Sequence, residues 1–193
     1  EGIVVADITS GSDEAYALGV QPDGKLVVAG VGGTDFLLLR YAPDGVLDPT
    51  FGTNGVTTTD LAGRYDEAHA LVLQADGKSI VAGNSGAVFA LARYTANGSL
   101  DSSFGSGGTI TIAPDDRIAV AYALALQADC KVVAAGGYWD FFVMRYLNSM
   151  VGCADFNGSG GVDAADVQAI ASRWHQTNVD AGWDDRFDLD RDS

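Results

Sequence analysis

Basic side chains are scarce in this chain. Its 193 residues carry 11 lysines and arginines against 26 aspartates and glutamates, for a net charge of −15 and an isoelectric point near 4.1. Neutralising phosphate takes patches of lysine and arginine, so nucleic acid and anionic membrane are poor partners. Cysteine is nearly absent, and Cys130 and Cys153 are too few for a disulfide framework. No apolar run approaches the roughly 18 residues that a membrane-spanning helix needs. No basic-then-apolar leader follows Glu1. Common catalytic signatures are missing too: there is no phosphate-binding loop, G-x-S-x-G elbow, C-x-x-C or H-E-x-x-H. What is present is 47% apolar content and 25 glycines, enough for one sizeable core and a small appendage.

The few lysines locate the organising feature. Lys25, Lys78 and Lys131 are the only ones, they lie 53 residues apart, and each sits in the same stretch. That stretch reads AYALGVQPDGKLVVAG from Ala15, AHALVLQADGKSIVAG from Ala68 and AYALALQADCKVVAAG from Ala121. A period of this length marks a repeat architecture, with units starting near residues 14, 67 and 120. Within a unit, Tyr16, Leu18 and Val20 alternate with Ala17, Gly19 and Gln21, the period of two that a strand requires. Asp23-Gly24 and Asp76-Gly77 predict a two-residue hairpin turn, because glycine accepts positive φ, and Leu26 to Ala29 is the return strand. The runs Phe36 to Tyr41, Phe89 to Tyr94 and Phe141 to Tyr146 are nearly continuous apolar, as in a strand covered on both faces.

A second turn follows, Pro43-Asp44-Gly45 or Ala96-Asn97-Gly98. The excursion LDPTFGTNG or LDSSFGSGG then leads to Val56–Thr59 or Thr109–Ile112, polar enough for a water-facing edge. The expected fold is mostly β, built of antiparallel four-stranded units of the size of β-propeller blades, about three of them; a stacked β-solenoid is the alternative.

Three pieces of the first two units, A-L-x-x-Q-x-D-G-K, the R-Y after the third strand and L-D-x-x-F-G-x-x-G, resemble the delta-60 repeat of bacterial extracellular proteins, which is assigned to the β-propellers. The resemblance covers residues 1–147 and implies a secreted or cell-surface setting, but no chemistry. Gly2-Ile3-Val4 stands 53 residues before Gly55-Val56-Thr57, so residues 1–8 read as the last strand of a preceding repeat. On that reading the chain is a fragment or processed product, with any leader upstream. The third unit stops at Tyr146 without a fourth strand, and Gly2 to Ala6 would supply one if three units closed on themselves.

Residues 148–152 read as a linker, after which the period is lost and residues 153–193 carry nine aspartates. Asp155, Asn157, Ser159, Asp163 and Asp166 place side-chain oxygens at positions 1, 3, 5, 9 and 12 of a loop, with Gly160 at 6 and the Gly161 carbonyl at 7. That is the twelve-residue calcium-loop spacing: the ion takes six to eight oxygens, and the glycine permits the sharp bend. Asp163 also reads as an N-cap for a helix carrying Val167, Ile170, Ala171 and Trp174 on one face. The plainer reading is an Asx- and Gly-rich linker ahead of a helix.

This loop-then-helix order is similar to one half of a bacterial dockerin, an EF-hand-like module, and the resemblance implies calcium as cofactor and a cohesin domain as partner. Asp188, Asp190 and Asp192 look like the start of a second loop, with Ser193 where its glycine is expected. Ala164 and Ala165 occupy loop positions 10 and 11, which in dockerins help choose the cohesin.

Other residues have ordinary explanations. Cys130 replaces the turn glycines Gly24 and Gly77 and reads as a tolerated substitution; Cys153 opens the next module. His69 takes the slot of Tyr16 and Tyr122 and reads as a packing position, while His175 suits a helix end. Arg40, Arg93 and Arg145 read as structural partners of acidic groups. Asp13-Glu14 and Asp66-Glu67 recur one period apart but give way to Ala119-Val120, so a paired-carboxylate site is the lesser expectation. Two functions follow: a non-catalytic extracellular module for binding a carbohydrate or protein ligand, tethered by its calcium segment, or part of a polysaccharide-degrading glycosyl hydrolase or its complex. A purely architectural repeat is the third.

Overall fold

The computed structural model describes residues 2–62, 65–113, 119–127, 131–137 and 141–146. The strands are β1 (Asp13–Val20), β2 (Leu26–Gly32), β3 (Asp35–Tyr41), β4 (Val56–Thr59), β5 (Asp66–Leu73), β6 (Ser79–Ser85), β7 (Val88–Tyr94), β8 (Thr109–Ile112), β9 (Ala121–Leu126), β10 (Val132–Gly137) and β11 (Phe141–Tyr146). They form three antiparallel sheets in chain order, β1-β2-β3-β4, β5-β6-β7-β8 and β9-β10-β11. The four-stranded unit is therefore present twice in full. No helix among the described residues is long and apolar enough to cross a membrane.

The turns differ from expectation in one respect. Gln21 and Lys25 close the first hairpin (N to O, 2.8 Å), and Gly24 N donates to Gln21 O (2.9 Å), so the loop is Pro22-Asp23-Gly24. Three residues, not two, make this turn, with Gly24 and Gly77 both at φ +82°. Such a loop is a type I turn finished by one left-handed residue, which glycine adopts at no steric cost. The two-residue hairpins lie instead between β2 and β3, at Gly33-Thr34, and between β6 and β7, at Gly86-Ala87. Gln127 N donates to Lys131 O at 2.9 Å, so the third hairpin is closed by the same bond; Cys130 itself lies outside the described residues.

The sheets stack face to face. Val27, Ala29, Phe36 and Leu38 of the first pack against Val81, Ala90, Ala92 and Tyr94 of the second. One period on, Ile80, Ala82, Phe89 and Leu91 pack against Val132, Ala134, Phe142 and Met144 of the third. The second sheet is covered on both faces, which is why β6 and β7 are almost wholly buried. The edge strands β4 and β8 are outermost, as their polar sequence suggests, yet Thr57 Oγ1 donates to Gly98 O (2.9 Å) and Thr59 Oγ1 accepts from the buried Tyr94 hydroxyl (2.8 Å). These threonines face the next sheet rather than water.

A buried ion pair joins the three signature pieces in each of the first two units. Arg40 Nε donates to Asp48 Oδ2 at 2.9 Å, Lys25 Nζ stands 3.1 Å from the same oxygen, and the Arg40 guanidinium lies 4.7 Å over the Phe51 ring. Arg40 Nη1 also donates to Ala96 O of the second unit. Arg93, Asp101 and Phe104 repeat the arrangement at 2.9 and 4.8 Å. Two of the three repeating arginines are thus structural partners of acids. The Thr50 hydroxyl and amide, then Lys25 and Arg40, hold the Asp48 carboxyl well below the usual 3.8. Its contribution to stability is complete above that value and is lost as pH falls below it.

Two expectations about the ends need correction or fall outside. Residues 2–6 belong to no sheet, and β11 pairs among the described residues only with β10, so Gly2 to Ala6 do not complete the third sheet of their own chain. The linker 148–152, the loop positions Asp155 to Asp166, its helix and Asp188, Asp190 and Asp192 all lie outside the described residues.

Truncating Asp48 strands a buried guanidinium. Asp48→Ala should therefore cost about 3–5 kcal/mol in a urea titration, whereas Thr50→Ala should cost about 1 kcal/mol. Equal small losses from both would show that the pair is not what holds the turn.

Candidate functional site

The first strand of each sheet carries an irregularity at the same place. In β1 the register steps from Ala15 opposite Gly30 to Ala17 opposite Ala29, leaving Tyr16 as an extra residue. In β5 the step runs from Ala68 to Ala70 and leaves out His69. In β9 it leaves out Tyr122, between Ala121 opposite Gly136 and Ala123 opposite Ala135. These are β-bulges, which bend a strand and re-aim one side chain. The partner glycine is what allows each of them. A Cβ on Gly30, Gly83 or Gly136 would fall 1.8, 1.7 or 1.9 Å from the carbonyl oxygen of Glu14, Glu67 or Val120.

The re-aimed residues meet. The rings of Tyr16 and His69 lie 4.8 Å apart and tilted by 39°, and those of His69 and Tyr122 lie 5.3 Å apart at 49°. His69 is packed, but between two tyrosines rather than in a sheet core. Tyr16 and Tyr122 remain 40% and 56% exposed, and Leu18 and Val20 continue an exposed surface along β1. The Tyr16 hydroxyl donates to Glu14 Oε2 at 2.9 Å, and Glu67 Oε2 stands 3.6 Å from His69 Nε2. Burial and the Glu14 carboxylate push the Tyr16 hydroxyl up to about 12, so it remains a donor across the working pH range. The strip offers aromatic surface, hydroxyl donors and carboxylate acceptors across three strands.

A second cluster forms where the first sheet meets the second. Asp35 opens β3, Asp60 follows β4 and Asp66 opens β5, and one carboxylate oxygen from each lies within 4.8 Å of the others. Asp66 is fully buried and accepts the Leu61 amide at 2.7 Å. Burial, with the charges of Asp60 and Asp35, raises its pKa despite that bond. Among the described residues these are the groups that could hold a cation. They are not the calcium ligands expected from sequence, which lie outside the described residues. One period later the three positions are Val88, Ala113 and Ala119. The recurring Asp13 and Asp66 were visible in sequence, but only the hairpin geometry brings Asp35 and Asp60 to Asp66.

A carboxyl whose pKa is raised in the folded state weakens folding above that pKa and is neutral below the unfolded value of 3.8. Asp66→Asn should accordingly raise the melting temperature at pH 7 in chelator, and the gain should vanish as pH falls below the carboxylate range. A lower melting temperature at pH 7 would show the charge to be compensated.

No curated protein matches the chain. The family model described as a domain of unknown function (DUF5122) beta-propeller matches residues 21–51 and 74–104, in phase with the 53-residue period. Both matched segments run from the glutamine before the first turn to the phenylalanine beneath the arginine, and with the stacked sheets they mark a propeller-type repeat segment.

Proposed function

We propose that this chain is a non-catalytic β-propeller module that binds carbohydrate along its inner-strand aromatic strip. The observation that carries the reading is the placement of Tyr16, His69 and Tyr122 on three successive bulges, in ring contact and partly exposed. Sugars present C–H faces that pack on aromatic rings and hydroxyls that need acceptors, and a strip flanked by Glu14 and Glu67 offers both. The same carboxylates are engaged by Tyr16 and His69, and the third unit has Val120 at the equivalent place. That supports recognition over a two-carboxylate hydrolase.

The setting proposed is extracellular or cell-surface. Residues 153–193 would tether the module to a cohesin-type domain, with calcium held by Asp155, Asn157, Ser159, the Gly161 carbonyl, Asp163 and Asp166. A ligand set of three carboxylates suits modest affinity. With a dissociation constant on the order of 10 μM, a hundredfold excess of calcium would stabilise the loop and helix by about 2.7 kcal/mol.

Titration calorimetry with a panel of soluble oligosaccharides tests the first part. Tyr122→Ala should weaken binding at least about tenfold, a change of about 1.4 kcal/mol, with the melting temperature unchanged. Binding by no member of the panel removes the reading, and release of reducing ends favours the hydrolase. For the tether, calcium titration of the whole chain carrying Asp66→Asn, which breaks up the acidic cluster of the first two sheets, should give one site, abolished by Asp155→Ala and untouched by Asp190→Ala. Two sites of similar affinity, or no heat at millimolar calcium, would refute it.

A further inference from the structure

The acidic cluster between the first two sheets has a counterpart one period earlier that shows what it lacks. Residues 7–14, DITSGSDE, stand 53 positions before residues 60–67, DLAGRYDE. In the earlier copy both oxygens of Asp13 are satisfied. Oδ2 accepts the amides of Ile8 and Thr9 at 2.7 and 3.1 Å, and Oδ1 accepts the Thr9 hydroxyl at 2.7 Å. In the later copy Leu61 N repeats the first of these bonds, on Asp66 Oδ2 at 2.7 Å. Ala62 stands in the place of Thr9, so the hydroxyl that completed the earlier set is gone. Asp66 Oδ1 is buried and has no hydrogen-bond partner.

A second buried oxygen is orphaned beside it. Ser85 lies opposite Asp66 in the register of β5 and β6, where the earlier copy has Gly32 opposite Asp13, and it is fully buried. Its hydroxyl is close enough to the Asp66 carboxyl to favour the charged form, yet it stands outside hydrogen-bond geometry, and Ser85 Oγ has no partner. Unpaired buried oxygens are costly, and two side by side in a native fold call for a missing partner. The cations of the described ion pairs are committed elsewhere: Lys25 and Arg40 to Asp48, Lys78 to Asp76 and Arg93 to Asp101.

We propose that this junction is a calcium site, with Asp35, Asp60, Asp66 and Ser85 as its protein ligands. Every donor is an oxygen, and the set holds none of the nitrogen or sulfur that zinc favours. The three carboxylate oxygens lie within 4.8 Å of one another, a span that one ion bridges at the roughly 2.3–2.6 Å of calcium–oxygen bonds. Asp66 is buried, Asp35 half-buried and Asp60 exposed. The set is therefore closed at its base and open at its rim, which gives the ion a path of entry and room for water ligands. Thr34 O already accepts Asp66 N at 2.7 Å, so the ion would reinforce an existing contact between the β2–β3 hairpin and the start of β5. The second junction, with Val88, Ala113 and Ala119 at the carboxylate positions, would hold no such ion. The proposal does not depend on the calcium loop read in residues 155–166.

The test uses the whole chain carrying Asp155→Ala, which takes that C-terminal loop out of the measurement. Calcium titration calorimetry should give one site, with a dissociation constant on the order of 0.1–1 mM, as in extracellular calcium modules. Saturating calcium should raise the melting temperature above its value in chelator. Asp66→Asn and Asp60→Asn should each abolish the heat and the calcium-dependent shift. Asp60 is exposed and its Oδ1 accepts Ala62 N, a bond that the asparagine oxygen can keep, so this variant reports on the ion and not on folding. Heat that survives both substitutions would overturn the proposal, and tighter binding of magnesium than of calcium would overturn the choice of ion. No heat at millimolar calcium would also overturn it. Arg64, two residues before Asp66, lies outside the described residues; a lower melting temperature for Arg64→Ala would in that case assign the counter-charge to its guanidinium.

Discussion

The buried pair of Arg40 and Asp48, repeated as Arg93 and Asp101, is the constraint on which the two complete units depend. It draws together the end of β3, the excursion before β4 and, through Lys25, the first hairpin, pieces that are separated in sequence and are the most alike between copies. A guanidinium taken out of water is tolerable only when its donors are used, and here an acid, a threonine hydroxyl, a carbonyl of the neighbouring unit and an aromatic face use them. Because one of those acceptors is Ala96 O, the pair also ties the first sheet to the second. The family-matched segments span this cluster and end on its phenylalanine, so the sequence signal and the energetic constraint coincide.

The second constraint is the close approach at Gly30, Gly83 and Gly136. A strand without the bulge would carry its alternation unbroken through residue 16 and turn Tyr16 toward the neighbouring sheet. With the bulge, Ala15 and Ala17 keep their pairing, and the large ring is turned out to meet its counterparts. Three residues with no role in the sheet cores thereby become a continuous surface. The repeat fixes where the bulge falls; its occupants, Tyr, His and Tyr, are free to differ.

Much of this was legible in the chain of letters. The lysine spacing predicted the unit, the Gly-rich turns predicted its antiparallel order, and the apolar runs at Phe36 and Phe89 predicted strands buried on both faces, as observed, whereas the run at Phe141 leaves Phe141 and Val143 exposed on one face. The bulge was not legible, because a single extra residue leaves the alternation of β1 looking regular on either side of it. The Asp-Gly pair was assigned too short a loop, since a glycine at positive φ ends a three-residue turn as well as it fills a two-residue one. The acidic cluster was invisible for a different reason: Asp35, Asp60 and Asp66 belong to three segments that meet only after the sheets stack.

Divergence between units follows the same division. Residues in the ion-pair cluster and the close approaches are held to one identity by geometry, whereas hairpin tips and strand ends at the sheet junctions are not. At the first junction all three positions are aspartate, and at the second they are Val88, Ala113 and Ala119. A lone buried carboxylate among apolar neighbours would be costly, which fits a junction that is acidic at all three positions or at none. Ligand-directed chemistry in a repeat of this kind is therefore to be sought where the copies disagree. By that criterion the acidic junction and the ring strip stand apart: the strip lies on a bulge common to all three sheets and the junction on turns common to the first two, while the side chains differ.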